Sequence, residues 1–179
     1  VHDQCVSARV IALHGTEEQK RKYLPKLASG ELHCTIAMTE PNAGSAVTEM
    51  TTTAVRDGDE YVINGQKIFT SFADIADLHL LFARFGPSRG ARGIGTILVE
   101  SDRPGIHVHL LEGKMGTRGI AEAEIYFENV RVPAANVVTL GDPGTSEGFV
   151  KPLTVYNGTR VGMGIMALGV AEGAFELAK

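Results

Sequence analysis

The sequence has 179 residues, a hydrophobic share of 44%, charged residues at 21% and a formal net charge of −4. This composition predicts a packed globular unit, either one domain or a small domain with extensions, and excludes a disordered chain. The absence of a Lys/Arg block disfavours a nucleic-acid partner. The two cysteines, Cys5 and Cys34, show neither CxxC spacing nor a disulfide framework and read as free thiols in a reducing compartment.

The opening stretch "VHDQCVSARVIALHG" lacks the basic and long apolar regions of a signal peptide. Both ends are expected to be cut from a longer chain, since no Met begins it and Lys179 stops inside a helical pattern. Residues 4–13 have apolar residues at mixed helical spacing, with Gly15 as the stop. "TEEQKRKYLPKLASGE" opens with Thr16 as N-cap and Gln19 three positions on, a capping-box arrangement. That helix is expected to end near Pro25, with a further turn closing at Gly30.

From Leu32 the period changes to that of strands. "LHCTIAMT" is rich in strand formers, and Asp57-Gly58 and Asn64-Gly65 both read as turns in a hairpin series. "DLHLLFARF", "GIGTILVES", "RPGIHVHLLE" and "EAEIYFENVRVP" follow as further strands. About seven strands between residues 32 and 138, with turns but no helices between them, predict a sandwich or barrel. After "GDPGTSEGF" the pattern is helical again and rich in Gly and Ala. The apolar run Val161–Ala171, bounded by Arg160 and Glu172, is short for a bilayer, so no membrane span is expected. A helix this apolar needs packing partners, and these are expected outside the chain.

Several motifs fail their own structural requirements. "GTSEG", residues 144–148, matches GxSxG, but Gly141-Asp142-Pro143 parts Ser146 from the preceding strand, so a helix-start loop is expected. His107 and His109 share a strand face without further ligands at metal spacing, and no metal site is expected. There is no dinucleotide GxGxxG and no P-loop. "AMTEPNAGS", Ala37–Ser45, stays open. Pro41 fixes φ while Asn42 and Gly44 tolerate positive φ, so the segment reads either as an ordinary loop or as a nest of inward N–H groups. Thr39 and Ser45 would add hydroxyls to such a nest.

This stretch resembles the first signature of the acyl-CoA dehydrogenase family, and the resemblance covers essentially the whole chain. "GTEEQKRKYLPKLASGE", "DEYVINGQKIFTS", "DRPGI", "KMGTRG", "FENVRVPAANVV" and "YNGTRVGMGIMALGVAEGAFELA" resemble further family segments in the expected order. The implied fold is α+β, an antiparallel β-barrel or sandwich middle domain flanked by helices. Residues 1–31 would end an N-terminal helical domain, 32–140 form a flavin-binding β-domain, and 141–179 start a C-terminal bundle.

The implied activity is α,β-dehydrogenation of an acyl-CoA thioester by FAD, with electrons passed to an electron-transfer flavoprotein. Ile36, Ala37, Met38, Thr39, Gly44 and Ser45 would form the first flavin wall, with Thr39 bonding the ring system. Phe69, Thr70 and Ser71 would form the second, with Ser71 donating to flavin N5. Phe69 stands where the family commonly has tryptophan, and Ala46 where it usually has aspartate. Ser45, Asn157 and Arg160 match substrate-side positions, although Arg160 reads equally as a structural helix-start arginine. Thr159 precedes Arg160 where a minority of members carry a glutamate base, so the base is expected beyond Lys179, and Glu40 is expected to be structural. A homo-oligomer, dimer or tetramer, located in the cytoplasm (mitochondrial matrix in a eukaryote), is implied as well. The rival readings are a flavin oxidase, desulfinase or nitroalkane oxidase relative, and a non-catalytic CoA-ester-binding or partner subunit.

Overall fold

The structure, a computed structural model, describes residues 2–179. It opens with helices α1 (His2–His14) and α2 (Glu17–Ser29). The expected capping box forms between them: Gln19 N donates to Thr16 Oγ1 at 3.1 Å, and Thr16 N donates to Gln19 Oε1 at 3.0 Å. Gly30 takes the left-handed C-cap conformation at φ 76°. Contrary to expectation, α2 does not stop at Pro25 but runs through it. Pro25 and Arg21 are both exposed, so the carbonyl left without a donor faces water. Buried Tyr23 and Leu27 hold the opposite face.

Strands β1 (Cys34–Ala37), β2 (Thr53–Asp57), β3 (Glu60–Ser71), β4 (Leu78–Arg84), β5 (Ile94–Glu100), β6 (Ile106–Leu110), β7 (Glu122–Pro133) and β8 (Val137–Thr139) form one sheet. Its order is β6-β7-β3-β2-β4-β5-β8, with β1 also paired to β4. Most pairings are antiparallel, as expected, but β1 and β2 both run parallel to β4. Since β5 occupies one edge of β4, β1 and β2 share the other, pairing Cys34–Ala37 with Leu78–Leu81 and then Thr53 with Arg84. They are two pieces of one edge line. Residues 38–52 leave that line and return to it, forming an excursion at the side of the sheet.

Alternation along β4 explains why "LHLLF" reads as an unbroken apolar run. Leu81 and Ala83 face inward, against Ile97 and Val99 of β5 and Ile63, Ile125, Phe127 and Val130 of β3 and β7. Leu78 and Leu80 face outward, beneath Val6, Val10 and Ile11 of α1. The β4–β5 half is therefore covered on both faces, and the sheet folds over a core shared with β3 and β7. This is the α+β architecture expected.

One expected turn is absent. Asp57-Gly58 does begin a tight hairpin, with Asp57 opposite Glu60 and Gly58 at φ 62°. Asn64-Gly65 instead lies inside β3, where the register on β7 slips between Ile63 and Gly65. This is a bulge, and it places two asparagines side by side: Asn129 N donates to Asn64 Oδ1 at 2.9 Å. Gly65 is required there, since a Cβ would meet Thr52 Oγ1 at 2.5 Å.

At the C-terminal end, α3 (Glu147–Asn157) and α4 (Thr159–Ala178) replace the single helix expected. Val155 of α3 joins the buried cluster of α1, whereas residues 160–178 of α4 are exposed throughout. The helical stretch Glu147–Ala178 is long and apolar enough to cross a membrane by length and composition. The limit expected from the shorter apolar run does not apply to that whole stretch.

Candidate cofactor site

The excursion at residues 38–52 begins at the end of β1. Glu40 N donates to Ala43 O at 3.2 Å and Ala43 N to Glu40 O at 3.0 Å, closing a tight turn through Pro41 and Asn42. Neither Asn42 nor Gly44 adopts positive φ. The left-handed nest that these residues would have allowed is therefore not built, because mutual backbone bonds satisfy the turn. Ala46 precedes a 3-10 turn, Val47–Glu49, without a side-chain cap.

A buried ion pair ties this turn to β3. Lys67 Nζ lies 2.8 Å from Glu40 Oε1 and donates to Met38 O at 3.0 Å. Thr51 N (2.6 Å), Thr51 Oγ1 (2.9 Å) and Thr52 N (2.9 Å) also donate to the Glu40 carboxylate. Burial alone would raise the Glu40 pKa, but the Lys67 charge and the donors of Thr51 and Thr52 bring it down to about 2. Burial lowers Lys67 to about 8, against the pull of Glu40. Glu40 is thus an ionised structural group, as expected.

Next to this pair, β3 bulges again. Between Lys67/Ile125 and Thr70/Ala123 the register shifts, leaving Ile68 and Phe69 out of step with β7. Ile68 N donates to Thr39 O at 2.9 Å, joining the bulge to the excursion. Phe69 has φ 56° and its side chain is 64% exposed; Phe72 has φ 55°. A left-handed phenylalanine costs on the order of 1–3 kcal/mol, and here it turns an aromatic ring out of the core.

Ile36, Met38 and Thr39 on one side and Ile68, Phe69 and Ser71 on the other line a cleft, with Tyr156 of α3 at its margin. The Thr39 hydroxyl makes no hydrogen bond to the described protein. Ser71 is held from both sides: Thr35 Oγ1 donates to Ser71 O at 2.7 Å, and Ser71 Oγ donates to Glu122 Oε1 at 3.1 Å. Aliphatic and aromatic side chains set in a lining whose exposed surface is mostly polar, with two hydroxyls, fit a flat heteroaromatic ring with polar edges, such as the isoalloxazine implied by the resemblance.

The sequence-derived residues thus separate. Ile36, Met38, Thr39, Phe69 and Ser71 meet at the cleft. Ala37 and Thr70 point inward and are buried, with Thr70 Oγ1 lacking a partner among the described residues. Gly44 and Ser45 are exposed, beyond the Glu40–Ala43 turn. Asn157 and Arg160 are exposed near the α3–α4 break, outside the cleft lining. Sequence reasoning missed Ile68 and Tyr156. Strand alternation would place Ile68 on the face opposite Phe69, and only the bulge brings both to the cleft; Tyr156 arrives through helix docking.

Other candidates resolve simply. Ser146 precedes α3, and Val150 N donates to Ser146 O at 2.9 Å, so GxSxG is a helix start. His107 lies 3.9 Å from Glu128, and His109 stacks edge-on with Tyr126. Among the described residues no group of His, Cys, Asp and Glu could hold a metal ion.

Comparison with known proteins extends this picture. Residues 35–130 match the family profile "Acyl-CoA dehydrogenase, middle domain", and residues 1–31 match "Acyl-CoA dehydrogenase, N-terminal domain". The chain is 42% identical to acryloyl-CoA reductase (NADH) of Anaerotignum propionicum, over 96% of this chain and 43% of that protein. It is 41% identical to the short-chain specific acyl-CoA dehydrogenase of Clostridium acetobutylicum, over 96% of this chain and 44% of that protein. A chain in a structure of the electron transferring flavoprotein of Acidaminococcus fermentans is similar at TM-score 0.84 and 41% identity, covering 93% of this chain and 43% of that one. A glutaryl-CoA dehydrogenase from Mycobacterium smegmatis in complex with FADH2 is similar at TM-score 0.78 and 32% identity, covering 88% and 38%. The chain spans less than half the length of these relatives.

Proposed function

The chain belongs to the acyl-CoA dehydrogenase family, and on that premise we propose that its β-domain supplies the flavin-binding walls of an FAD-dependent acyl-CoA dehydrogenase. The observation that carries this reading is the cleft itself, where the excursion and the β3 bulge bring Ile36, Met38, Ile68 and Phe69 together with the Thr39 and Ser71 hydroxyls. The FADH2 complex of the M. smegmatis relative supports the choice of ligand.

Bound FAD would supply the acceptor for the hydride leaving the β-carbon of an acyl-CoA thioester. The chain's own residues do the rest of the binding. Ile36, Met38, Ile68 and Phe69 exclude water from the ring faces, and Thr39 offers an uncommitted hydroxyl to its polar edge. Glu40 cannot act as the proton-abstracting base, because Lys67 and three further donors hold its carboxylate. We place that base outside these 179 residues. Ser45, Asn157 and Arg160, all exposed, are the candidate contacts for the CoA portion. Electron transfer to a flavoprotein partner is supported by the similarity to a chain of the A. fermentans structure. We assign the complete protein to a homo-oligomer in the cytoplasm, or in the mitochondrial matrix of a eukaryote, with α4 packed in its bundle.

The 42% identity to an acryloyl-CoA reductase favours a second reading, in which the same carbon–carbon bond change runs towards the saturated thioester. The full-length protein is purified and its visible spectrum recorded, then short saturated and α,β-unsaturated acyl-CoA thioesters are added without oxygen. Flavin absorbance bleached by the saturated thioester supports the dehydrogenase. Reoxidation of reduced flavin by the unsaturated thioester, with no bleaching by the saturated one, supports the reductase. A protein without flavin absorbance overturns both.

A further inference from the structure

We propose that Glu122 is a positioning residue that sets the hydrogen-bonding sense of Ser71 towards the cofactor cleft. The proposal rests on the flavin reading above. Ser71 and Glu122 face each other across the β3–β7 pairing, with Ser71 Oγ 3.1 Å from Glu122 Oε1 and 3.3 Å from Oε2. Lys114 Nζ lies 4.0 Å from the same carboxylate, and Lys114 is fixed by the carbonyls of Thr117 and Ile120. The Ser71 backbone cannot drift either, because its carbonyl accepts from Thr35 Oγ1.

A hydroxyl has one proton to give, whereas a carboxylate can only accept. With that proton committed to Glu122, Ser71 Oγ offers lone pairs to the cleft and no donor. This reverses the role expected for Ser71 from the resemblance, that of a donor to flavin N5. An oxidised flavin presents an acceptor at N5 and a reduced one presents N–H. Ser71 held by Glu122 therefore favours the reduced form, and Ser71 released from Glu122 can turn and serve the oxidised form. The carboxylate's own charge acts in the opposite sense, since nearby negative charge disfavours adding electrons to the ring. The two routes thus predict shifts of opposite sign.

The test is the midpoint potential of the flavin in the full-length holoprotein, read by anaerobic dye equilibration for wild type, Glu122→Ala, Ser71→Ala and the double variant. Loss of Glu122 should lower the potential by about 30 mV, the equivalent of a tenfold weaker preference for reduced flavin in a two-electron couple. In the Ser71→Ala background the same change should produce no such fall. Glu122→Gln, whose amide oxygen still accepts from Ser71 but which carries no charge, should stay at or above the wild-type potential. If Glu122→Ala does not fold, Glu122→Val, a strand former without an acceptor, is read by the same criteria. An unchanged or raised potential, or an equal fall in both backgrounds, overturns the proposal and leaves the flavin reading standing. A wild-type protein that binds no flavin overturns both.

Discussion

Lys67 Nζ lies 2.8 Å from Glu40 Oε1 with both side chains out of water, so one ion pair pins the excursion at residues 38–52 to β3. The pair sits directly behind the cleft, because Met38 and Thr39 precede Glu40 and Ile68 and Phe69 follow Lys67. Removing one partner strands the other as an uncompensated buried charge. Glu40→Gln and Lys67→Met should each destabilise the protein by about 3 kcal/mol, read from the midpoint of urea unfolding. Both should also loosen FAD, whereas Glu40→Gln would abolish turnover with FAD still tightly held if Glu40 were the base.

Acid should weaken the fold through two carboxylates. Burial would raise Glu100, but Arg103, Tyr23 and Lys22 overcome that and hold it at about 2, as Lys67 and its companions hold Glu40. Each native pKa lies below the ordinary glutamate value of 4.5. The unfolded chain therefore binds more protons between pH 4.5 and 2, and stability falls as pH drops through that window. Urea midpoints taken between pH 5 and 3 should fall steeply, and the slope should flatten in Glu100→Gln. An unchanged slope in that variant would count against the Glu100 assignment.

His79 acts in a higher window. Its ring is buried on β4, edge-on to Phe127, with Nε2 3.0 Å from Ser101 Oγ and no partner at Nδ1 among the described residues. Burial lowers its pKa from 6.5 to about 4. The native state thus resists a proton that the unfolded chain accepts, so stability is complete above pH 6.5 and declines towards pH 4. The loss should approach ~3 kcal/mol across that range. His79→Leu should remove this part of the pH dependence, and unfolding curves at pH 7 and pH 5 measure it.

Phe69 separates binding from stability. Its left-handed backbone suits glycine, so Phe69→Gly should leave the unfolding free energy unchanged or raise it by up to ~1 kcal/mol. The same change removes an aromatic wall and should weaken FAD about tenfold. Fluorescence titration of apoprotein with FAD measures the second effect. Equal affinity in wild type and variant would remove Phe69 from the site.

Gly148 links helix docking to the cleft. A Cβ there would collide with Leu140 O and meet Ile94 O at 2.7 Å, so α3 packs on β5 and β8 only through a bare backbone. Gly148→Ala should push α3 outward, lower stability by about 2 kcal/mol or more, and shift Tyr156 from the margin of the cleft. Thermal unfolding and the absorbance of bound flavin together report both consequences.

Period and turn chemistry make much of this fold readable. The capping box at Thr16 and Gln19, the hairpin at Asp57-Gly58 and the apolar strands β4 and β5 follow from local rules. The failures share a cause: a tertiary contact overrides a local signal. Pro25 stays helical because its lost hydrogen bond falls on the wet side. Asn64-Gly65 stays extended because Asn129 meets it across the sheet and leaves room for a bulge. The cleft was half legible, since its hydroxyls come from quoted motifs, but Ile68 and the partnership of Ser71 with Glu122 depend on register slips invisible in one strand.

The capping residue of α2 has one more consequence, for anyone who would cut this chain into parts. Gln19 Nε2 donates to Ala135 O at 2.7 Å and to Val137 O at 2.9 Å, while Tyr23 Oη donates to Glu100 at 2.9 Å. The family profiles divide the chain between residues 31 and 35, yet the helices clasp the far end of the sheet. A piece beginning at residue 32 would take the Gln19 donor from the carbonyls of Ala135 and Val137, and would leave the half-buried Glu100 carboxylate with Arg103 and Asn136 but without Lys22 and Tyr23. The two profiles mark a seam in the sequence that the folded unit does not share.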